Sequence, residues 1–465
     1  MIALKASAIA QIVGGELKGA DVIVTSAPVF DSNQATPGSL FLALKGEKSD
    51  GHEFIKDAFA RGAVLALVTN ASEENCIVVK DVIVALNKLA SHLRGQLKEL
   101  KVIALTGSQG KTTTKDLLQH ILESVGKTVA PVGNFNNELG TPITLLQCDE
   151  TTKFCILEMG ARHVGDIAQL CEMARPNIGM VLRVGSAHIG EFGSAEAVAK
   201  TKSEMISSLA PEAIAILGDY DSYTPKMKSL HTGRVITFGE TTSSEVRATD
   251  IEIREGRPHF DLVTPAGRAA VGLRIVGIHQ VSNALAAAAA ATAVGASIDQ
   301  IAGALSTAEV HSKWRMEIQE IGNLVLINDS YNSSPESAEA ALRTLALFAQ
   351  ERGGQSWAFL GKMHELGASS EASHADIGTL ASELGIDHLV CIASAEYASK
   401  LAANSATAIH LFEKKEDALH LVEEMKSGDV VIIKASRAEH FEDLAHGIEE
   451  KIRALIGVET EEGGR

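Results

Sequence analysis

The sequence predicts an α/β protein of three domains: a small α/β N-terminal domain (1–98), a central P-loop-type domain with a mostly parallel sheet (99–310), and a Rossmann-like α/β C-terminal domain (311–465). Three observations predict it. The chain has 465 residues, and at about 150 residues per domain that length accommodates two or three cores. Apolar runs alternate with helical patterns at the spacing of βα units from residue 102 onward, as in a doubly wound sheet. One strand also runs straight into a glycine-containing turn and an amphipathic helix, in VIALTGSQGKTTTKDLLQHIL. Such a turn lets backbone N–H groups cradle phosphate oxygens.

In chain order, SLFLAL (39–44) and AVLALVT (63–69) read as short strands between Gly, Pro and Asp punctuation, which makes the first unit small and α/β. The helical stretch VALNKLASHLRGQLKEL (84–100) leads into the strand VIALTG (102–107), and the first boundary falls between them. FCILEMG (154–160), IGMVLRVG (178–185) and AIAILGD (213–219) continue the strand series. ALAAAAAATAVGA (284–296) is too short to span a bilayer and reads as a packed helix of small residues. LVLINDS (324–330), SWAFLGKM (356–363), HLVCIA (388–393) and DVVIIKAS (429–436) then supply a second α/β sheet, so the last domain starts near residue 310. The tail GVETEEGGR is short and polar.

Composition narrows the function. Hydrophobic residues at 45% and charged residues at 22% suit a globular protein and leave no case for wholesale disorder. A net charge of −17 repels nucleic-acid phosphates, so no nucleic-acid partner is expected, and any anionic ligand needs a local basic pocket. The five cysteines form no CxxC pair, as expected of reduced thiols in a cytoplasmic protein. MIALKASAIAQIVGGELKG lacks a signal-peptide pattern, so no membrane insertion is expected either.

TGSQGKTTTKD (106–116) has only Ser108 and Gln109 between Gly107 and Gly110, two residues fewer than the general Walker A spacing. Lys111 would place a cation near the β and γ phosphates, and the Thr112 hydroxyl would ligate Mg²⁺. The alternative is a Gly/Lys/Thr turn with no ligand, and the spacing by itself does not decide.

Other segments bear on it: NFNNELGTPITLL (134–146), LEMGARHVGDIAQL (157–170), GSAHIGEFGS (185–194) and AKTKSEM (199–205). With the TGSxGKTTTK form of the loop, they resemble the Mur ligase family, the ATP-dependent amide-forming enzymes of peptidoglycan precursor synthesis, in which the short loop is normal. The resemblance covers nearly the whole chain. DSNQATPGSLFLALKGEKSDGHEFIKDAFARGA looks like a UDP-binding unit, and NDSYNSSPES resembles the DSYNxNPxS segment of the members that attach D-alanyl-D-alanine. The Asp-Asn-Pro-Arg motif of the diamino-acid-adding members is absent. The implied reaction joins D-alanyl-D-alanine to UDP-N-acetylmuramoyl-tripeptide. Phosphoryl transfer from ATP first converts the carboxylate to an acyl phosphate, so catalysis is mostly positioning and charge neutralisation.

The resemblance also implies site residues. ATP contacts fall on Gly107, Ser108, Gln109, Gly110, Lys111, Thr112, Thr113, Asn283, Arg315 and Asp329, with His279 nearby. Thr112, Glu158, His188 and Lys202 are the metal-site residues, and Lys111, His188 and Lys202 the catalytic ones. An ammonium cannot ligate Mg²⁺, so Lys202 is expected as a carbamate. Substrate contacts fall on Asp31, Ser32, Asn137, Asn332, Lys434, Ser436 and Arg437. Taken alone, Glu158 reads equally as a loop carboxylate or helix cap, His188 as a structural histidine, Lys202 as a surface ion-pair partner of Glu204, and Asn283 as an N-cap.

Four positions depart from the pattern: Asn33 for the Arg of DSR, Arg183 for an Asn, Lys362 for an acidic residue, and Ala435 for the Gly of KGSR. Two rivals stay open: a related ligase using another amine, and an ATP-binding regulatory protein that has lost ligation. With three domains in one chain, a monomer is the simplest expectation.

Overall fold

The computed structural model describes residues 1–46, 49–133, 135–185, 189–309, 312–401 and 405–456. In the N-terminal part, parallel strands Ser39–Leu42, Ala63–Val68 and Cys76–Val78 are extended by antiparallel Glu16–Lys18. A helix, Val82–Gln96, follows. Asp81 starts it by accepting the Val84 N–H, and Leu86, Leu89, Ala90 and Leu93 line its buried stripe.

That stripe packs on the helices Gly140–Leu146 and Asp166–Ala174. One cluster of buried side chains therefore runs from Ile9 and Leu40 through Leu89 and Leu93 to Val102 and Met159. Buried Arg94 fastens the junction: its guanidinium donates to the Ala174, Leu97 and Arg175 carbonyls and to Asn177 Oδ1, at 3.0–3.1 Å. The three carbonyls lie at helix ends, where backbone oxygens lack intrahelical partners, and Asn177 Oδ1 also accepts the Val102 N–H at 2.9 Å.

The central sheet has nine strands. Lys101–Thr106 lies between Phe154–Glu158 and Ile178–Val181, all parallel, with the chain leaving it to opposite sides. The crevice beyond the carboxyl ends of these strands is the topological switch point, where open α/β sheets hold ligands. One face is covered by the helices Lys111–Glu123 and Gln280–Ala293. Ala284 to Ala291 are wholly buried with Leu285 among them, and their small side chains let this helix lie close to its neighbour. Three strands, Val246–Arg254, Arg257–Thr264 and Gly267–Gly272, extend the sheet as an antiparallel meander, making it mixed.

The C-terminal sheet orders Glu317–Ile321, Leu324–Asn328, Val430–Lys434, Ser356–Leu360, His388–Ile392 and Ala408–Phe412, all parallel except the first. Apolar layers cover both of its faces. Among the described residues, no helix is long and apolar enough to cross a membrane.

Candidate active site

A cleft of about 1640 Å³ opens at the switch point and is lined by residues from all three parts of the chain. Its floor is the phosphate-loop turn. Gly110 has φ +82°, a left-handed conformation that suits glycine. A side chain there would also collide with Asn283 Oδ1, so the glycine lets the alanine-rich helix bring Asn283 against the turn. Asn283 in turn donates to Gln280 Oε1 at 2.8 Å. Ser108 is fixed from the neighbouring strand: its N–H donates to the Arg183 carbonyl at 3.0 Å, and its Oγ accepts the Gly185 N–H at 2.8 Å.

Lys111 folds back to the Gly107 carbonyl, 2.8 Å away, and burial lowers its pKa. Thr112 Oγ1 donates to Glu158 Oε2 at 3.0 Å, and Asn136 Nδ2 donates to Glu158 Oε1 at 2.9 Å. Glu158, at the end of its strand, is 2% exposed, so its carboxylate is aimed from both sides by neutral donors. Lys202 projects into the same cleft from the helix Ala195–Ser207. Its amine makes no hydrogen bond or ion pair among the described residues, and burial plus the nearby Lys111 pull its pKa down to about 7.

Arg315 and Asp329 reach the cleft from the C-terminal domain. The Arg315 guanidinium lies over the Tyr331 ring, 3.9 Å from its centroid, which holds the cation at the rim. Arg437 lies over Trp314 at 4.5 Å and pairs with Glu442 at 2.5 Å. Ser436 accepts the His364 N–H at 2.8 Å. Asn332 lines the cleft as well.

Several expected residues have other partners. Lys434 is 2% exposed, and its ammonium is held by Asp329 Oδ2 at 2.5 Å and the Asn332 carbonyl at 2.9 Å. That bond ties two neighbouring strand ends together. Asn137 accepts the Gly140 N–H at 3.0 Å, capping the helix that follows, while still lining the cleft. Asp31 accepts the Asn33 N–H, and neither it nor Ser32 is among the lining residues; Phe30, packed on Phe135, is. His188 lies outside the described residues.

Of the departures, Ala435 is wholly buried in the C-terminal core, and Lys362 offers Ser436 its backbone carbonyl, a contact independent of its side chain. Arg183 keeps an unpartnered buried Nε near His279 and Tyr220.

Sequence reasoning missed Asn136, Tyr331 and Gln280. Asn136 stood in the quoted NFNN run, but its side chain meets Glu158 only through the fold.

The donors suit Mg²⁺. Thr112 and Glu158 offer oxygen at one point, and no group of three or more His, Cys, Asp or Glu gathers among the described residues. Mg²⁺ held largely by phosphates and water takes only one or two protein oxygens, which fits that sparse set.

Comparisons with known proteins agree with this architecture. Three family models match: "Mur ligase family, catalytic domain" over residues 29–99, "Mur ligase middle domain" over 105–291, and "Mur ligase, glutamate ligase domain" over 314–437. The UDP-N-acetylmuramoyl-tripeptide–D-alanyl-D-alanine ligase of Mycobacterium tuberculosis is 38% identical, covering 94% of this chain and 96% of that protein. MurF from Acinetobacter baumannii superimposes with a TM-score of 0.86 at 32% identity, covering 96% of this chain and 99% of that one. MurF ligase from Thermotoga maritima, solved in complex with ADP, gives 0.80 at 28% identity over 93% of this chain and 99% of that one. With a phosphate-loop turn, a buried Thr112–Glu158 pair and a cleft shared by three α/β units, the chain belongs to the Mur ligase family.

Proposed function

We propose that this ligase joins D-alanyl-D-alanine to UDP-N-acetylmuramoyl-tripeptide, giving the UDP-linked pentapeptide used in peptidoglycan synthesis. The observation that carries the reading is one cleft with Lys111, Lys202, Arg315 and Arg437 around the Thr112–Glu158 pair. A carboxylate has no good leaving group, so it attacks the γ-phosphorus of ATP and releases ADP. The dipeptide amine then adds to the acyl phosphate carbonyl, phosphate departs, and the amine gives up a proton.

Residues 1–98 are assigned the UDP part of the substrate, 99–310 the ATP, and 311–465 the dipeptide. Lys111 leaves the Gly107 carbonyl for the phosphates, and Arg315 approaches them from the opposite domain. Thr112 and Glu158 would hold Mg²⁺, which when bound neutralises charge on the phosphate oxygens. Asn136 keeps the Glu158 carboxylate turned toward that position.

Lys202 is assigned a carbamate, and its burial without a hydrogen-bond or ion-pair partner among the described residues supports this. A neutral amine is the form that adds to CO₂, making an N–C bond and releasing one proton; the resulting anion suits a site crowded with cations. Closure of the C-terminal domain would keep water from the acyl phosphate. The chain is assigned to the cytoplasm as a monomer, and its five buried free cysteines fit a reducing compartment.

The test is phosphate release from Mg-ATP and UDP-N-acetylmuramoyl-tripeptide, with and without D-alanyl-D-alanine, with mass analysis of the product. Dipeptide-dependent release with formation of the UDP-pentapeptide is expected. Binding of both nucleotides without turnover would sink the proposal in favour of a regulatory homologue. The carbamate is tested separately by a ¹³C resonance after ¹³CO₂ exposure, which must vanish in Lys202→Arg.

A further inference from the structure

The central and C-terminal domains meet at a backbone contact that the catalytic residues do not explain. The short helix Ile189–Phe192 lies against the loop Glu365–Ser369 of the C-terminal domain. The Gly190 N–H donates to the Glu365 carbonyl at 2.9 Å. A Cβ built on Gly190 would fall 2.7 Å from both Glu365 O and Gly367 N, atoms of the opposing backbone that cannot swing aside. Glu365 holds φ +64°, strained for a residue with a side chain, and so directs its carbonyl at Gly190.

Both sides of this contact lead to the active site. On the central side, Gly185 precedes the helix and is bound to Ser108 of the phosphate-loop turn. On the other side, the neighbouring His364 N–H donates to Ser436 Oγ, and His364 Nε2 pairs with Glu439 at 2.5 Å. Gly185, bound to the phosphate loop, and His364, bound to the Ser436–Arg437 loop, thus stand on opposite sides of this contact.

We propose that Gly190 is a positioning residue: it is the seat on which the C-terminal domain docks, and docking there is required for turnover while binding of Mg-ATP and of the UDP-linked substrate is not. The inference rests on the proposed ligase reading for its activity readout. Gly190 has no positive φ and lies in a helix, where alanine is intrinsically preferred to glycine. Gly190→Ala therefore leaves the central domain unharmed and obstructs only the approach of the other domain.

The experiment compares wild type, Gly190→Ala and Gly303→Ala. Gly303 lies in the helix Ile298–Thr307, and an added Cβ there meets nothing within 4 Å. Each is measured for kcat and KM, for Tm, for equilibrium binding of a non-hydrolysable ATP analogue with Mg²⁺ and of UDP-N-acetylmuramoyl-tripeptide, and for radius of gyration by X-ray scattering with both bound. Gly190→Ala is expected to lose about 100-fold in kcat, to keep Tm and both affinities, and to remain more expanded than liganded wild type. Gly303→Ala should behave as wild type. Wild-type turnover by Gly190→Ala overturns the proposal, as does loss of activity accompanied by lower Tm or lost nucleotide binding. If wild type itself shows no ligation, the functional reading fails; the scattering comparison then decides the seat, and equal compaction of both proteins rejects it.

Discussion

Thr112 and Glu158 are joined by a 3.0 Å hydrogen bond that ties the first turn of the phosphate-loop helix to the end of an adjacent strand. The hydroxyl and the carboxylate converge on one point, and Asn136 occupies the second carboxylate oxygen. Glu158→Gln should keep the fold and lower kcat by about 100-fold or more, because the anionic oxygen that would hold Mg²⁺ beside the phosphates is lost. Retention of normal turnover at ordinary Mg²⁺ concentrations would count against a metal role for Glu158.

Asn136→Ala removes only the group that orients Glu158. A fall of roughly 10–100-fold in metal affinity is expected, with turnover recovering as Mg²⁺ is raised. A Mg²⁺ titration of kcat separates this from a direct catalytic role, in which added metal would restore nothing.

Lys434 is buried and Asp329 half-buried in their ion pair, so their removal should be read first in stability. Lys434→Met leaves Asp329 without its partner at a cost of about 3–5 kcal/mol. The double variant Asp329→Asn with Lys434→Met should recover much of that loss. Thermal melts of the four proteins give the coupling; additive losses would mean that the two groups act independently.

His279 is held neutral by burial, its pKa pulled from 6.5 down to about 4. Between those values the unfolded chain binds a proton that the folded chain does not, so stability rises with pH across this window and is lost on acidification through it. Above 6.5 the histidine contributes nothing either way. At about 1.4 kcal/mol per pKa unit the acid penalty amounts to a few kcal/mol. His279→Gln should flatten the pH dependence of Tm between pH 6.5 and 4 relative to wild type; parallel curves would refute the assignment.

Elements whose chemistry is local were legible in the sequence. The run VIALTG followed by a Gly-Lys-Thr turn gives a strand and a helix start at Lys101–Thr106 and Lys111, because apolar runs and glycine act within a few residues. The antiparallel strands after residue 246 were not anticipated: Val246–Arg254 mixes Ile with Arg, Asp and Glu, and one face of it stays in solvent. Within the site, a motif can nominate Glu158 but not Asn136, since that pairing depends on a loop folding back over a strand end. Lys434 was expected near the incoming dipeptide, and what its sequence position could not convey is that Asp329, 105 residues earlier, ends on the adjacent strand and holds the ammonium.

Arg94 binds the Leu97 carbonyl on the N-terminal side of the junction and the Ala174 and Arg175 carbonyls on the central side, and the apolar core runs through without interruption. Under the closure proposed above, the enzyme works mechanically as one fixed platform and one swinging arm. ATP and the UDP-linked substrate can both load onto the platform while the arm is away, which makes an ordered sequence with the dipeptide last the natural kinetic scheme. In that scheme the arm also gates the departure of all products, so raising solvent viscosity should slow steady-state turnover more than a single-turnover burst.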